Sequence, residues 1–191
     1  MRAFIAVELS PGIKEALVRL SEELERSSRS IRRVAPENMH LTVRFLGDVE
    51  PSDVPAVEEA MRRACDGAES FSIELCGAGV FPDLRWPRVI YAGVSGDGGM
   101  LARLHDALEE GLRGLAVKPA EKRFHPHVTV GRVKPDRSAG RLGERMESFR
   151  EWRGGIQPVA AWSLFGSVLS REGPTHTRLL EIPLGGKRDA F

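Results

Sequence analysis

The sequence is poor in several features that would point to particular classes of protein. It has two cysteines, Cys65 and Cys76, and neither shares a metal-ligand spacing with the other or with a histidine. This argues against a disulfide-built secreted domain and is typical of buried, reduced thiols. The apolar run at the N-terminus is too short for a signal peptide, and no segment is long enough to span a bilayer. We therefore expect a cytoplasmic protein without membrane contacts.

An excess of charge of either sign is also missing. The 28 basic and 27 acidic residues leave a net charge of +1, so any basic surface must be local. The 191 residues, of which 41% are hydrophobic, are enough for one domain, or two small lobes, with a real core.

The most informative feature that is present is a short pattern that occurs twice. The copies are His40-Leu41-Thr42-Val43 and His127-Val128-Thr129-Val130, and both lie in β-forming runs. Because residues i and i+2 of a strand share a face, each strand carries one imidazole and one hydroxyl on the same side and apolar residues on the other. With only five His and four Thr in the chain, two such pairs are improbable by chance.

Hydrophobic periodicity predicts a mixed order of strands and helices. Strands are predicted at 2–8, 31–34, 39–46, 70–80, 88–95, 124–133, 157–170 and 175–184. Helices are predicted from Pro11 to about 28, over 51–65 and 101–112, and from Asp136 to before Gly154. The order runs twice through strand, helix, strand, helix and further strands. It indicates an α+β protein whose two lobes face one another, each lobe carrying one motif strand, at 40–43 and 127–130.

Two imidazoles across a groove suit phosphoryl chemistry. Histidine can both donate and accept a proton near neutral pH. In an in-line displacement at phosphorus the nucleophile and the leaving group lie on opposite sides, so a base is needed on one side and an acid on the other. The hydroxyls of Thr42 and Thr129 can donate to non-bridging phosphate oxygens, and this scheme needs no metal.

Two alternatives remain open on the residues alone. The histidines can be ordinary strand residues with satisfied hydrogen bonds. They can also form a metal site from His40, His125 and His127, although no carboxylate or thiolate accompanies them at a useful spacing.

The sequence resembles the two-histidine phosphoesterase superfamily, and within it the RNA 2′,3′-cyclic phosphodiesterases, also called 2′-5′ RNA ligases. The resemblance rests on the paired motifs and on flanking stretches at 2–7, 40–47, 79–82, 87–94 and 124–132. It implies a bilobal fold of two antiparallel sheets facing a central cleft, with helices outside and a pseudo-two-fold axis, over one catalytic domain, 1–191. It also implies metal-free hydrolysis of 2′,3′-cyclic phosphate ends to 2′-phosphomonoesters, with 2′-5′ ligation as the reverse reaction.

The resemblance assigns roles to the motif residues. His40 is the proton donor and His127 the proton acceptor, while Thr42 and Thr129 bind the phosphate. No metal or cofactor is implied, the partners are RNA ends or nucleotides with a 2′,3′-cyclic phosphate, and we expect a monomer. The alternatives in other classes are a non-catalytic nucleotide-binding module that uses the same cleft and a metal-dependent hydrolase.

Four further residues are candidates for substrate binding. Arg132 is implied to contact phosphate, although it lies three residues after its threonine and leaves that face unless the strand bulges. Phe45 either stacks on a base or packs in the core. His125 either orients His127 or supports the strand. His176 stands where the family often has the tyrosine of a Gly-Pro-x-Tyr pattern, and it either replaces that ring or lies on the surface.

Other aromatic and basic residues complete the predictions. Trp86 is expected to anchor the core rather than cap the cleft, and His105 to be structural or on the surface. Basic residues that could steer an RNA end are concentrated at Lys118, Lys122, Arg123, Arg132, Lys134, Arg137 and Arg141, with Arg32, Arg33 and Arg44 flanking the first motif.

Overall fold

The computed structural model describes residues 1–119, 123–134, 142–170 and 173–185. Its strands are β1 (Arg2–Val7), β2 (Ile31–Arg33), β3 (Leu41–Asp48), β4 (Phe71–Phe81), β5 (Val89–Ser95), β6 (His127–Val133), β7 (Arg153–Val159), β8 (Ala161–Ser170) and β9 (Gly173–Pro183). Its helices are α1 (Pro11–Ser27), α2 (Val54–Cys65), α3 (Met100–Gly111) and α4 (Leu142–Ser148).

The strand order of the sheet has two-fold symmetry. It reads β7-β4-β5-β6-β3-β1-β8-β9, with β2 added to β6, and neighbouring strands are antiparallel. The motif strands β6 and β3 occupy the centre, and equivalent strands follow outward on each side. This confirms the predicted α+β, pseudo-two-fold architecture. The two expected sheets are the two halves of one continuous sheet, joined between β3 and β6.

The halves are interleaved along the chain. β4 and β5 precede β6 and pair on its side, whereas β8 and β9 come last and return to the side of β3. The sequence order had suggested two successive lobes instead. Because antiparallel strands joined by long connections can pair with distant partners, the hydrophobic pattern alone could not assign strands to halves.

The predicted strand 157–170 is wrong, because the structure divides it into two. β7 ends at Val159, which pairs with β4, and β8 begins at Ala161 and pairs with β1 from Ser163 onward. No glycine lies at this break. The nearby Gly154-Gly155 pair lies inside β7 instead. The buried Gln157 secures the junction by accepting a hydrogen bond from the backbone N–H of Ser10 at 2.8 Å.

Both motif strands begin later than predicted. β6 starts at His127, after Pro126, which has no N–H to donate to a ladder. β3 starts at Leu41, because the N–H of Met39 closes a 3-10 turn on the carbonyl of Pro36 at 3.2 Å. The predicted start of the fourth helix, at Asp136, lies outside the described residues.

The helices cover the apolar face of the sheet. The apolar residues that recur at helical spacing in α1 are buried and join one core with Leu41 and Val128 from the motif strands; they are Ile13, Leu17, Leu20 and Leu24. The opposite face of the motif strands therefore holds their polar residues. None of the described helices has the length and apolar composition needed to cross a lipid bilayer.

Candidate active site

The two motif strands meet at one buried residue pair. β3 and β6 are antiparallel and pair at Leu41 and Val128, neither of which is accessible to solvent. Because neighbouring residues of a strand point to opposite faces, the His and Thr of both motifs leave the core on the same side. Because the strands are antiparallel, this register places Thr42 next to His127 and Thr129 next to His40.

His40 is packed among aromatic rings at the start of β3. Its imidazole stacks on Phe4, with 4.6 Å between ring centroids, and His176 meets it edge-on at 5.4 Å. Burial, the largest effect, lowers the pKa of His40 from 6.5 to about 4, and repulsion from His176 and Lys14 acts in the same direction. A hydrogen bond with the Asn38 backbone opposes these effects. The imidazole is therefore neutral near pH 7 in the ligand-free protein.

His127 has a defined tautomer. Its Nδ1 lies 2.7 Å from the carbonyl oxygen of His125. Since a carbonyl oxygen only accepts, Nδ1 carries the proton and Nε2 is the nitrogen that can exchange one with a substrate. Phe81 and Tyr91 meet the imidazole edge-on, with centroid distances of 5.0 and 5.4 Å.

The only tyrosine of the chain lies across a glycine. Tyr91 and Gly79 are register partners, and a Cβ at Gly79 would fall 2.4 Å from Cζ of the tyrosine ring. The missing side chain thus makes room for the ring beside His127. Burial raises the pKa of Tyr91, so its phenol stays protonated at neutral pH.

A β-bulge follows each motif threonine. Val43 is an extra residue in the pairing of β1 with β3, and Val130 is an extra residue in the pairing of β5 with β6. Each bulge shifts the alternation of faces by one residue. As a result, Phe45 and Arg132 both return to the face of the threonines, although an ideal strand would turn them away. The two residues occupy equivalent positions in the two halves.

An open cavity of about 520 Å³ lies over this face. Six of the predicted site residues line it, namely Thr42, Phe45, His125, His127, Thr129 and Arg132. His40 lies beside it in the aromatic cluster, with His176. After burial, His176 and Lys14, repulsion from His127 also lowers the pKa of His40.

The predicted basic cluster reaches this cavity in part. Lys118, Arg123 and Arg132 line it, and all three side chains are exposed. The other predicted members include Lys122, Arg137 and Arg141, which lie outside the described residues. Arg33 forms exposed salt bridges with Glu22 and Glu25 instead.

The prediction that Arg44 extends the basic surface is wrong. Its side chain is 6% exposed and pairs with the Glu109 carboxylate. Its Nη2 donates to the Lys118 carbonyl at 2.7 Å. The bulge at Val43 explains the difference, because it turns Arg44 into the core.

The prediction that Trp86 anchors the core is also wrong. It is 77% exposed, whereas Trp162 is fully buried. Trp86 belongs to the loop 82–88 rather than to a strand, so neither face of the sheet covers it. His105 was predicted to be structural or on the surface. It is structural, because it is buried and stacks on Phe124 with 4.3 Å between the ring centroids.

The aromatic walls of the site were not found from the sequence as functional residues. Phe4, Phe81 and Tyr91 surround the two histidines. Phe4 lies on the same face of β1 as Ala6. This alternation could have placed Phe4 in the site only once the pairing of β1 with β3 was known.

The geometry gives no support to the predicted alternative of a zinc site. Within the described part of the chain, no three His, Cys, Asp or Glu side chains are close enough to hold a metal ion together. His125 and His127 have ring centroids 6.2 Å apart, and the Nδ1 of His127 is directed at a backbone carbonyl.

A pseudo-two-fold sheet that presents two His-x-Thr strands on one face defines the two-histidine phosphoesterase class. Comparison with known proteins narrows this class. The family described as LigT-like phosphoesterase matches residues 7–91 and 96–176. The chain therefore belongs to the LigT-like phosphoesterase family.

Relatives and solved structures agree with this assignment. The chain is 34% identical to a protein of Methanothermobacter thermautotrophicus and 36% identical to one of Aeropyrum pernix, both named RNA 2′,3′-cyclic phosphodiesterase. These matches cover 93% and 87% of this chain, and 95% and 93% of the relatives. The crystal structure of a Thermus thermophilus protein superposes with a TM-score of 0.82 at 29% identity, covering 98% of this chain and 100% of that one. E. coli LigT in complex with 3′-AMP, at 23% identity, shares the fold with a TM-score of 0.77, covering 97% and 98%.

Proposed function

We propose that this protein is a metal-independent RNA 2′,3′-cyclic phosphodiesterase that forms 2′-phosphomonoesters. The observation that carries the proposal is the pairing of Leu41 with Val128, which brings two His-x-Thr motifs to one face. The names of the relatives and the nucleotide bound to E. coli LigT support the same substrate chemistry.

The two imidazoles act as an acid and a base in one displacement. Nε2 of His127 takes a proton from water as the water oxygen attacks phosphorus. The bond between phosphorus and the ribose O3′ breaks, and His40 gives its proton to that oxygen, which leaves the phosphate on O2′. When a 5′-hydroxyl takes the place of water, the linkage made is 2′-5′, and the two histidines exchange roles when that linkage is cleaved.

The threonine hydroxyls hold the phosphate during this step. Thr42 and Thr129 line the cavity next to the opposing imidazole, where they donate hydrogen bonds to the non-bridging oxygens. Bonds that strengthen as negative charge develops on these oxygens lower the barrier. Arg132, returned to this face by its bulge, adds a charged donor.

The donor role of His40 requires that substrate binding change its charge. In the ligand-free protein, burial together with His176 and Lys14 keeps its pKa at about 4. A bound phosphate anion beside the ring favours the imidazolium and offsets the repulsion from the neighbouring groups. The anion therefore raises the pKa of His40 and increases the fraction that carries the donor proton, which ties the proton donor to the occupied site.

The remaining site residues support this machinery. The His125 carbonyl holds the tautomer of His127 that leaves Nε2 as the acceptor. His176 packs edge-on against His40 and replaces the tyrosine ring expected there. Phe45 is part of the substrate-binding wall.

We further propose that residues 1–191 form one two-lobed catalytic domain. β8 and β9 return from the end of the chain to complete the half that β1 and β3 begin, so the half with the first motif is built from two distant segments that enclose the other half in the sequence. Because one chain supplies both motifs, the protein works as a monomer, on RNA ends or nucleotides in the cytoplasm.

A direct assay tests the proposal. The protein is incubated with a 2′,3′-cyclic nucleotide in EDTA, and the product is identified by chromatography. We expect release of the 2′-monophosphate. Binding without turnover would instead make the protein a nucleotide-binding module, and turnover only after addition of a divalent metal would make it a metal-dependent hydrolase. His40→Ala and His127→Ala should each reduce kcat at least about 100-fold with unchanged circular dichroism, and full activity in either variant would remove that residue from the mechanism.

A further inference from the structure

Two cations share one aromatic ring at the edge of the cavity. The ammonium of Lys118 lies over the Phe45 ring at 5.7 Å from its centroid, and the Arg2 guanidinium lies over it at 5.6 Å. A ring quadrupole attracts cations at this distance. Phe45 therefore gathers positive charge beside the site.

The backbone of Lys118 is held against the first motif strand by three independent contacts. Its N–H donates to the Leu46 carbonyl at 2.7 Å, and its carbonyl accepts from the Arg44 guanidinium at 2.7 Å. Gly47, at a φ of +77°, allows the close approach, since a Cβ there would lie 3.0 Å from the Cβ of Lys118. Arg44 is in turn paired with Glu109 in the core. These contacts fix the backbone of Lys118, so its flexible side chain extends from a defined point.

The positive charge of the cavity exceeds what one cyclic phosphate needs. Such a phosphate carries a single negative charge, and Thr42, Thr129 and Arg132 already face it. Lys118 lines the same cavity, and none of the salt bridges within the described residues uses it. Its charge is thus available for a second anion.

We propose that Lys118 and Arg2, gathered by Phe45, form a subsite for the phosphodiester next to the reacting nucleotide. The inference rests on the proposed function. An RNA with a 2′,3′-cyclic end has a neighbour only on the 5′ side, so this phosphodiester links the terminal nucleotide to the preceding one. The enzyme consequently favours oligonucleotides over cyclic mononucleotides. Lys118 is the cleaner probe, because Arg2 stands opposite Asp48 in the β1–β3 register.

The test compares two substrates that differ in one nucleoside and the phosphodiester that joins it to the reacting nucleotide. One is a dinucleotide with a 2′,3′-cyclic end, and the other is the cyclic mononucleotide without a 5′-phosphate. The measured quantity is the ratio of kcat/KM for the dinucleotide to that for the mononucleotide. Lys118→Gln should lower this ratio about tenfold, as loss of a charge-assisted hydrogen bond does. The slope of log KM for the dinucleotide against the logarithm of the salt concentration should decrease by about 0.7.

Matched variants separate the subsite from other effects. Lys118→Arg should keep the ratio, and Arg19→Gln, which removes an exposed charge on α1, should leave it unchanged. Phe45→Leu keeps an apolar side chain but removes the quadrupole, so it should lower the ratio about threefold. An unchanged ratio in Lys118→Gln would overturn the proposal. Equal losses on both substrates in Phe45→Leu would make Phe45 a platform for the terminal base and would also overturn it.

Binding measurements keep the two proposals distinguishable. Calorimetric titration with the 2′-phosphorylated dinucleotide and mononucleotide products requires no turnover. If the wild-type protein hydrolyses neither cyclic substrate, the proposed function is wrong, and the titration alone decides the subsite. Weaker binding of the dinucleotide to Lys118→Gln would then retain the subsite, whereas equal binding to both proteins would reject it.

Discussion

Leu41 and Val128 are register partners at the middle of the sheet, and they are the pair through which its two halves join. Both are buried in the core, while their neighbours Thr42, His127 and Thr129 line the cavity. The spacing between the motif residues is therefore set by a buried part of the sheet, where close packing limits movement.

The motif hydroxyls should be needed for rate rather than for folding. We expect Thr42→Val to reduce kcat/KM for a 2′,3′-cyclic nucleotide about 10- to 100-fold, because a hydrogen bond to a charged group contributes about 1.5–3 kcal/mol. Thr42→Ser retains the hydroxyl and should keep most of the activity. Steady-state kinetics and a thermal melt of both variants measure this. Wild-type rates in Thr42→Val would show that this hydroxyl does not bind the phosphate, and Thr129→Val tests the other half in the same way.

The imidazole of His40, partly buried among aromatic rings, should make stability depend on pH. Its folded pKa of about 4 lies below the unfolded value of 6.5. The unfolded chain therefore binds more protons between these values, and stability falls as pH drops from about 6.5 to 4. The upper limit of the loss is about 3 kcal/mol.

Urea denaturation at a series of pH values checks this effect. Because carboxylates titrate over part of the same range, the comparison is with His40→Gln, whose stability should fall less steeply. Parallel curves for the two proteins would contradict the lowered pKa.

The contact between Tyr91 and Gly79 should be sensitive to a single methyl group. Gly79→Ala places a Cβ where the tyrosine ring lies, so the ring must move and its edge contact with His127 is lost. We expect kcat to fall about fivefold, equivalent to about 1 kcal/mol for an aromatic pair. As the only tyrosine, Tyr91 gives one labelled NMR signal, which should shift. Gly12→Ala, where a Cβ meets nothing within 4 Å, is the control. An unshifted signal in Gly79→Ala would mean that the ring does not lie over the glycine.

The ion pair of the buried Arg44 with the partly exposed Glu109 should contribute more to stability than a fully exposed pair does. Arg44→Met leaves the Glu109 carboxylate, which is 26% exposed, without its partner and should cost about 3 kcal/mol in the free energy of unfolding. Arg113→Met breaks the exposed pair with Glu110 and should cost less than about 1 kcal/mol. Urea titrations of the two variants give the comparison, and similar losses in both would show that the buried pair is not special.

Much of the fold was predictable because its signals are local. The apolar stripe of α1 has a helical period, and the motif strands alternate with a period of two. These patterns were confirmed in the core. The division of 157–170 into β7 and β8 had one local signal, Pro158, but where the strand divides follows from which distant strands the two segments pair with.

The candidate site likewise has some features that were predictable from the sequence and others that were not. The motif residues were recognisable from spacing alone, since each copy of the pattern is contained within four consecutive residues. Phe45 and Arg132 could be placed on the cavity face only after the bulges at Val43 and Val130 were seen, and the same bulge buries Arg44.

The amino-acid sequence by itself determined that two strands each present a histidine and a threonine on one side, because alternation along a strand is a property of neighbouring residues. Only the tertiary structure decided that these sides meet, which aromatic rings enclose each imidazole, and that Lys118 reaches the same cavity. Those relations join residues far apart in the chain. They depend on the register of strand pairing and on the packing of the core, which no local pattern encodes.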